Sequence, residues 1–147
     1  HCAALLPDDY VPDVHLRLVL YKRIAGTDSA DDLRELQVEL IDRFGLLPEP
    51  ARRLLQVAEL RIAAEPLGIR KMDVGPEGGS VQFGPEPAVE PITLIELIQE
   101  PGSIYRLKND DRLNFRTPLP EVDDRVGHLH ALLGRLAAGA RPEAMAS

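Results

Sequence analysis

Hydrophobic periodicity changes once along this chain, at Gly68, and that switch constrains the fold more than any other feature. Before Gly68, apolar residues recur every three to four positions, the spacing of one helix face; after it, short segments alternate with period two. From Asp13, Val14, Leu18, Tyr21 and Ala25 recur at helical spacing with Leu20 and Ile24 beside them, Asp13 reads as an N-cap and Gly26 as a stop. A second helix starts at a Thr27 or Ser29 cap. Ser29–Asp32 outlines a capping box, with Asp where Glu or Gln is usual, and Gly45 ends the helix after Phe44. The Leu46–Pro50 turn opens a third helix carrying Leu54, Leu55, Ala58 and Ile62, closed by Leu67-Gly68.

Beyond Gly68, Ile69–Val74 and Ser80–Phe83 read as strands joined by the Gly75–Gly79 turn. A joint containing Pro85, Pro87 and Pro91 leads into a short helix, Ile92–Gln99. A second hairpin pairs Ser103–Lys108 with Arg112–Arg116 across Asn109-Asp110-Asp111, and a last helix runs from about Glu121 to Ala138 with Val122, Val126, Leu129, Leu133 and Leu136 as its stripe. The fold class expected is α+β: an N-terminal three-helix region, then two β-hairpins forming a small, mainly antiparallel sheet with two further helices. Residues 1–12 read as a connector anchored by Leu5, Leu6, Tyr10 and Val11, residues 13–138 as one domain, and residues 139–147 as a flexible tail.

At 147 residues the chain can bury roughly 70% of its extended surface, enough for a core without staples. Its numbering opens at His1 without an initiator Met, which reads as a piece of a longer chain. The net charge of −7, from 24 acidic and 17 basic residues, sets a field that opposes phosphate-backbone binding. Cys2 is the only cysteine, so there is no internal disulfide and no multi-thiolate zinc site. No signal peptide and no apolar run near ~20 residues is present, so a reducing cytoplasm is the expected compartment.

No residue pattern supports catalysis. There is no phosphate-binding loop of the Gly-x-x-x-x-Gly-Lys-Ser/Thr type, and hairpin chemistry accounts for Gly75–Gly79. His128 and His130, at i and i+2 on a helix, point about 200° apart and are expected as exposed helix histidines rather than metal ligands. Cys2 has no basic neighbour to activate it, and no Ser sits in a Gly-x-Ser-x-Gly elbow. No catalytic residue, metal or cofactor is expected in this chain.

Two surfaces remain. The second hairpin can place Arg106 and Lys108 beside Arg112 and Arg116 on one face, with Tyr105, Leu107, Leu113 and Phe115 on the other. A basic face with aromatics is a nucleic-acid signature, but here the aromatics fall opposite the cations, which favours a solvated sheet face with its aromatics in the core over a nucleic-acid-binding module. On the second helix, with Asp31 at 0° and about 100° per residue, Asp42, Glu35 and Glu39 fall within about 80° and Val38 lies beside them near 340°. Leu33, Leu36, Leu40, Ile41 and Phe44 occupy the opposite arc. Glu35 and Glu39 are like charges at i,i+4, and Asp42 opposes the helix dipole. The pattern leaves a solvated face and a docking surface for a basic partner equally open.

Three runs are familiar: Leu6-Pro7-Asp8-Asp9-Tyr10-Val11-Pro12-Asp13 with Arg17-Leu18 and Tyr21-Lys22-Arg23-Ile24; Val38-Glu39-Leu40-Ile41-Asp42-Arg43-Phe44-Gly45 with Leu47-Pro48; and Leu67-Gly68-Ile69-Arg70-Lys71. Together they resemble the C-terminal domain of bacterial transcription-repair coupling factors, from about Leu5 to Leu136. The resemblance implies a parent that is an ATP- and magnesium-dependent DNA translocase, which removes stalled RNA polymerase at lesions and recruits the excision-repair protein UvrA. It makes residues 1–12 a connector from the translocase and residues 13–138 a regulatory domain. That domain docks on the UvrB-like module of the same protein and masks the surface UvrA would use. The family's acidic contact positions fall on Glu39 and Asp42, inside the arc that also holds Asp31, Glu35 and Val38.

Overall fold

The computed structural model describes residues 4–139. Residues 1–3, with His1 and Cys2, and all but the first residue of the expected tail 139–147 lie outside the described residues. Element order is α1 (Val14–Gly26), α2 (Ala30–Phe44), α3 (Glu49–Ala64), β1 (Ile69–Gly75), β2 (Gly78–Phe83), α4 (Pro91–Gln99), β3 (Tyr105–Lys108), β4 (Arg112–Arg116) and α5 (Val122–Ala138). This is the α+β arrangement expected. The span expected as one domain divides into two compact units, between Ile62 and Ala63.

In the first unit the helix starts follow from capping. Asp13 Oδ1 accepts from the backbone N–H of His15 (2.8 Å) and Leu16 (3.2 Å), satisfying two of the orphan donors of α1. Ser29 Oγ accepts from Asp32 N at 3.1 Å, the forward half of a capping box. Gly45 closes α2 by donating its N–H to Ile41 O. The core joins Leu20 and Ile24 of α1, Leu33, Leu36 and Leu40 of α2, and Ala51, Leu55 and Ala58 of α3. Leu6 and Val11, from the stretch expected as a connector, are buried in it too. Leu6 N–H donates to the Tyr21 hydroxyl at 2.8 Å, and the Tyr10 hydroxyl lies 2.8 Å from Gly45 O. Each fully buried Leu contributes roughly 1.5–3 kcal/mol of transfer free energy.

The expected stripe of α1 is corrected. Val14 and Leu18 are more than half exposed, and Ala25 is also exposed. The core face is the one centred on Leu20 and Ile24, with Leu16 and Tyr21 packed at its edges. Because α1 is apolar nearly all round, its own periodicity does not select a face; contact with α2 and α3 does. α2 is strongly two-sided and behaves as read, with Leu33, Leu36 and Leu40 buried and Ile41 and Phe44 half-buried. Among the described residues one charged side chain, Arg53, is buried, bonded to Glu49 (3.2 Å) and Gln56 (2.9 Å) along α3.

Early in the second unit Gly68, in the left-handed region at φ 77°, stops the 3-10 turn Glu65–Leu67 that extends α3. Its four-stranded sheet has the order β1-β2-β4-β3, antiparallel throughout. The two hairpins therefore join through β2 and β4, with Val81 opposite Leu113 and Ser80 opposite Asn114. Gly78 has φ 135°, and a Cβ there would run into the β4 backbone at Phe115 and Arg116, so this position requires glycine. The second turn uses Asn109 (φ 57°) and Asp110 (φ 63°), polar types that tolerate left-handed backbone. The Glu121–Asp124 capping box starts α5. Leu129, Leu132, Leu133 and Leu136 of α5 are buried, and its Arg135 pairs with Glu100 after α4 at 2.8 Å.

His128 differs from its expected role as an exposed helix histidine. It is half-buried against the apolar sheet face, 4.5 Å from the Phe115 ring, with Nε2 3.0 Å from the Tyr105 hydroxyl. Burial pushes its pKa below the ordinary imidazole value and raises that of Tyr105. His130, two residues on, is exposed. Helical geometry separates the two rings as expected, but the sheet claims one of them. Among the described residues no helix is long and apolar enough to cross a membrane. Nor does any group of three or more His, Cys, Asp or Glu among them suit a metal ion.

A candidate docking surface on the second helix

The apolar arc of α2 is committed to the core, so its opposite face is solvent-facing by construction. Asp31, Asp32, Glu35, Val38 and Asp42 are exposed there and Glu39 is partly exposed. Val38 is 53% exposed, a lone apolar residue among carboxylates.

These acids are not equivalent. Arg23, near the end of α1, donates Nη1 to Glu39 Oε2 at 2.6 Å and Nη2 to Glu39 Oε1 at 2.9 Å, a fork-on-fork pair. Arg43, one turn along α2, adds a third bond to Oε2 at 3.2 Å. The Arg23 hydrogen bonds are the main reason the Glu39 carboxyl is lowered to about 2; partial desolvation opposes them, and the positive charges of Arg23 and Arg43 assist. Asp31 pairs with Arg34 at 3.0 Å, with both side chains highly exposed. Glu35 and Asp42 make no ion pair among the described residues. With Asp32 they are the uncompensated charges of the face among the described residues.

Arg23 is the partner that reading α2 by itself missed. A helical wheel records neighbours on one helix, and Arg23 arrives from another. Its reach relieves the Glu35/Glu39 repulsion by drawing one of the two charges into an ion pair. It also helps form a surface cleft of about 420 Å³ lined by Arg23, Gly26 and Thr27 on one side and Asp32, Glu35, Leu36 and Glu39 on the other.

In the second unit, strand register places Arg106, Lys108, Arg112 and Arg116 on one face of the sheet, as expected. Lys108 lies directly opposite Arg112, and Arg106 opposite Asn114. Tyr105, Leu113 and Phe115 are buried on the other face, whereas Leu107, expected with them, is 39% exposed near the sheet edge.

The family model of the TRCF domain matches residues 1–94. This chain belongs to the TRCF domain family. It is 45% identical over 137 residues to the transcription-repair-coupling factor of Escherichia coli, covering 93% of this chain and 12% of that protein. It is 34% identical to that of Myxococcus xanthus, covering 96% of this chain and 12% of that protein. The TRCF domain chain thus spans about an eighth of the length of these relatives. A solved structure, described as the C-terminal domain of transcription-repair coupling factor, has the same fold, with a TM-score of 0.81 at 20% identity over 95% of this chain and 90% of that one. The α2 face of this TRCF domain lies within the residues matched by the family model.

Proposed function

We propose that this domain is an autoinhibitory clamp of a transcription-repair coupling factor. It docks through the acidic face of α2 on a basic surface of the UvrB-like module of the same protein and so masks the UvrA-binding surface. The observation that carries the reading is the exposed α2 face. Asp42 and Glu35 form no ion pair there among the described residues, Glu39 is held ionised between two arginines, and Val38 offers a small apolar contact. A partner guanidinium can pair with Asp42 and Glu35 outright, while at Glu39 it must join or displace Arg23. Family membership supports the reading, since the Val38–Gly45 run that carries the motif forms this face. Translocation, ATP and magnesium, and the contacts with RNA polymerase and DNA that go with it, belong on this reading to the rest of the parent protein. The domain itself performs no catalysis.

The energetics suit a lock that must release. A tethered domain sees its target at an effective concentration on the order of 1 mM. An intrinsic Kd of roughly 10 µM then holds the closed state about 100:1, or about 2.7 kcal/mol. Loss of two partly buried charge contacts, each about 1–2 kcal/mol, removes most or all of that bias.

The test is binding of this chain to the purified UvrB-like module, comparing the native chain with Glu35→Lys and Asp42→Lys. These two sites are preferable to Glu39→Lys, which would also break the Arg23 and Arg43 pairs within the domain. Reversal is expected to weaken binding about tenfold or more at moderate salt. Undiminished binding by the double reversal, at low and moderate salt alike, defeats the electrostatic clamp.

A further inference from the structure

Three antiparallel registers build a charged row across the sheet. Lys108 stands opposite Arg112, Arg112 opposite Gln82, and Gln82 opposite Lys71. With strands about 4.8 Å apart this row spans about 14 Å. Arg106, in the next row, and Arg116, in the one beyond, extend the positive face along the strands. Among the described residues Arg106, Lys108, Arg112 and Arg116 form no ion pair, in a chain of net charge −7. Only Lys71 is matched, by Asp73 at 3.5 Å. Other acids border the face: Glu77 lines a surface cleft with Arg116, and Asp111 in the β3–β4 turn is bonded to Gln82 at 3.4 Å. Like charges directly across a strand pair, as at Lys108 and Arg112, are unfavourable, so sheet stability alone does not explain them.

We propose that this face is a second interaction surface of the domain, which binds the phosphodiester backbone of duplex DNA without reading its sequence. Charge complementarity is the first argument. A duplex strand presents about four phosphates over ~14 Å of axis, at ~3.4 Å each. Guanidinium groups suit phosphate oxygens because they form paired, charge-assisted bonds. The rest of the face decides between anionic partners. Its uncharged members are Ser80, Gln82 and Asn114, polar donors with no exposed aromatic or large aliphatic anchor. Protein interfaces draw their energy from such anchors, whereas backbone contacts to DNA are polar and wet. Single-strand binders stack bases on aromatics, and here Tyr105 and Phe115 are buried beneath the sheet. The surface lies in the second unit, on strands that share no residue with the α2 face.

The experiment is fluorescence anisotropy of this chain with a labelled 20-base-pair DNA duplex of arbitrary sequence, titrated with salt. A Kd on the order of 10⁻⁵ M at low salt is expected, with log K falling against log salt at a slope of about −3.6 for four phosphate contacts. The double variant Arg106→Glu/Lys108→Glu should bind at least about tenfold more weakly, with a slope shallower by about two units. The neutral pair Arg106→Gln/Lys108→Gln should lie between. Thermal melting confirms that each variant is folded. Failure to bind the duplex at low salt overturns the proposal, as does unaltered binding by the folded double reversal. Equal affinity for polyglutamate overturns it in favour of an acidic protein, and tighter binding to a single strand of the same length overturns the duplex assignment.

Discussion

Arg23 of α1 grips both carboxylate oxygens of Glu39 on α2, at 2.6 and 2.9 Å. The bond ties two helices of the first unit together beside the candidate docking face. It also makes Glu39 a shared charge whose position is set before any partner arrives. Preorganisation of this kind lowers the ordering cost of docking, while partial neutralisation by Arg23 lowers the attraction. Asp32, Glu35 and Asp42, which form no ion pair among the described residues, are left to supply most of the net field.

The pair has a signature in acid. A carboxyl held at about 2 in the folded state contributes stability that is present above its unfolded value, about 4.3, and is lost as pH falls through the folded value. The urea midpoint of the native chain should therefore exceed that of Glu39→Gln at pH 5, and the gap should close between about pH 4.3 and 2. Replacing Arg23 with Ala should move the Glu39 titration, followed by carboxyl carbon NMR, up toward the ordinary range. A Glu39 titration unmoved by Arg23→Ala would show that the pair is absent in solution.

His128 predicts a second pH dependence. Burial lowers its pKa in the folded state, so below about 6.5 the unfolded chain takes up the proton more readily and stability falls with acidity. Between pH 7 and 5 the native chain should lose thermal stability more steeply than His128→Gln, whose amide can still face the Tyr105 hydroxyl but does not titrate there. Parallel pH profiles for the two proteins would rule out the buried imidazole as the source.

The face of α1 can be tested by two neighbouring leucines. Leu20 is fully buried and Leu18 is 54% exposed. Leu20→Ala should cost about 2–5 kcal/mol, while Leu18→Ala should fall within about 0.5 kcal/mol of the native chain. Urea unfolding, followed through the backbone amides of Leu33 and Leu36 so that the first unit is the one observed, separates the outcomes. Equal costs would restore the stripe expected from spacing.

How much could be read in advance depended on whether the deciding physics was local. Asp13 and Ser29 cap helices with groups two or three residues away, and Gly45 and Gly68 end them, so these boundaries were visible. α2 announces its core face because its leucines and its acids occupy opposite arcs. α1 does not, because Val14, Leu18, Leu20 and Ile24 ring the helix and only its neighbours choose among them. The basic hairpin was legible from alternation, but its continuation to Gln82 and Lys71 needed the β2–β4 pairing, which joins segments thirty residues apart.

Residue order therefore settled the succession of elements, their caps and turns, and the chemical character of the two charged faces. Each of those follows from contacts within a few residues along the chain. Packing settled which carboxylates are free and which are paired, which histidine lies under the sheet, and which apolar side of α1 meets the core. Those outcomes depend on side chains such as Arg23 and Glu39, or Tyr105 and His128, that are distant in sequence and meet only after the helices and strands have docked.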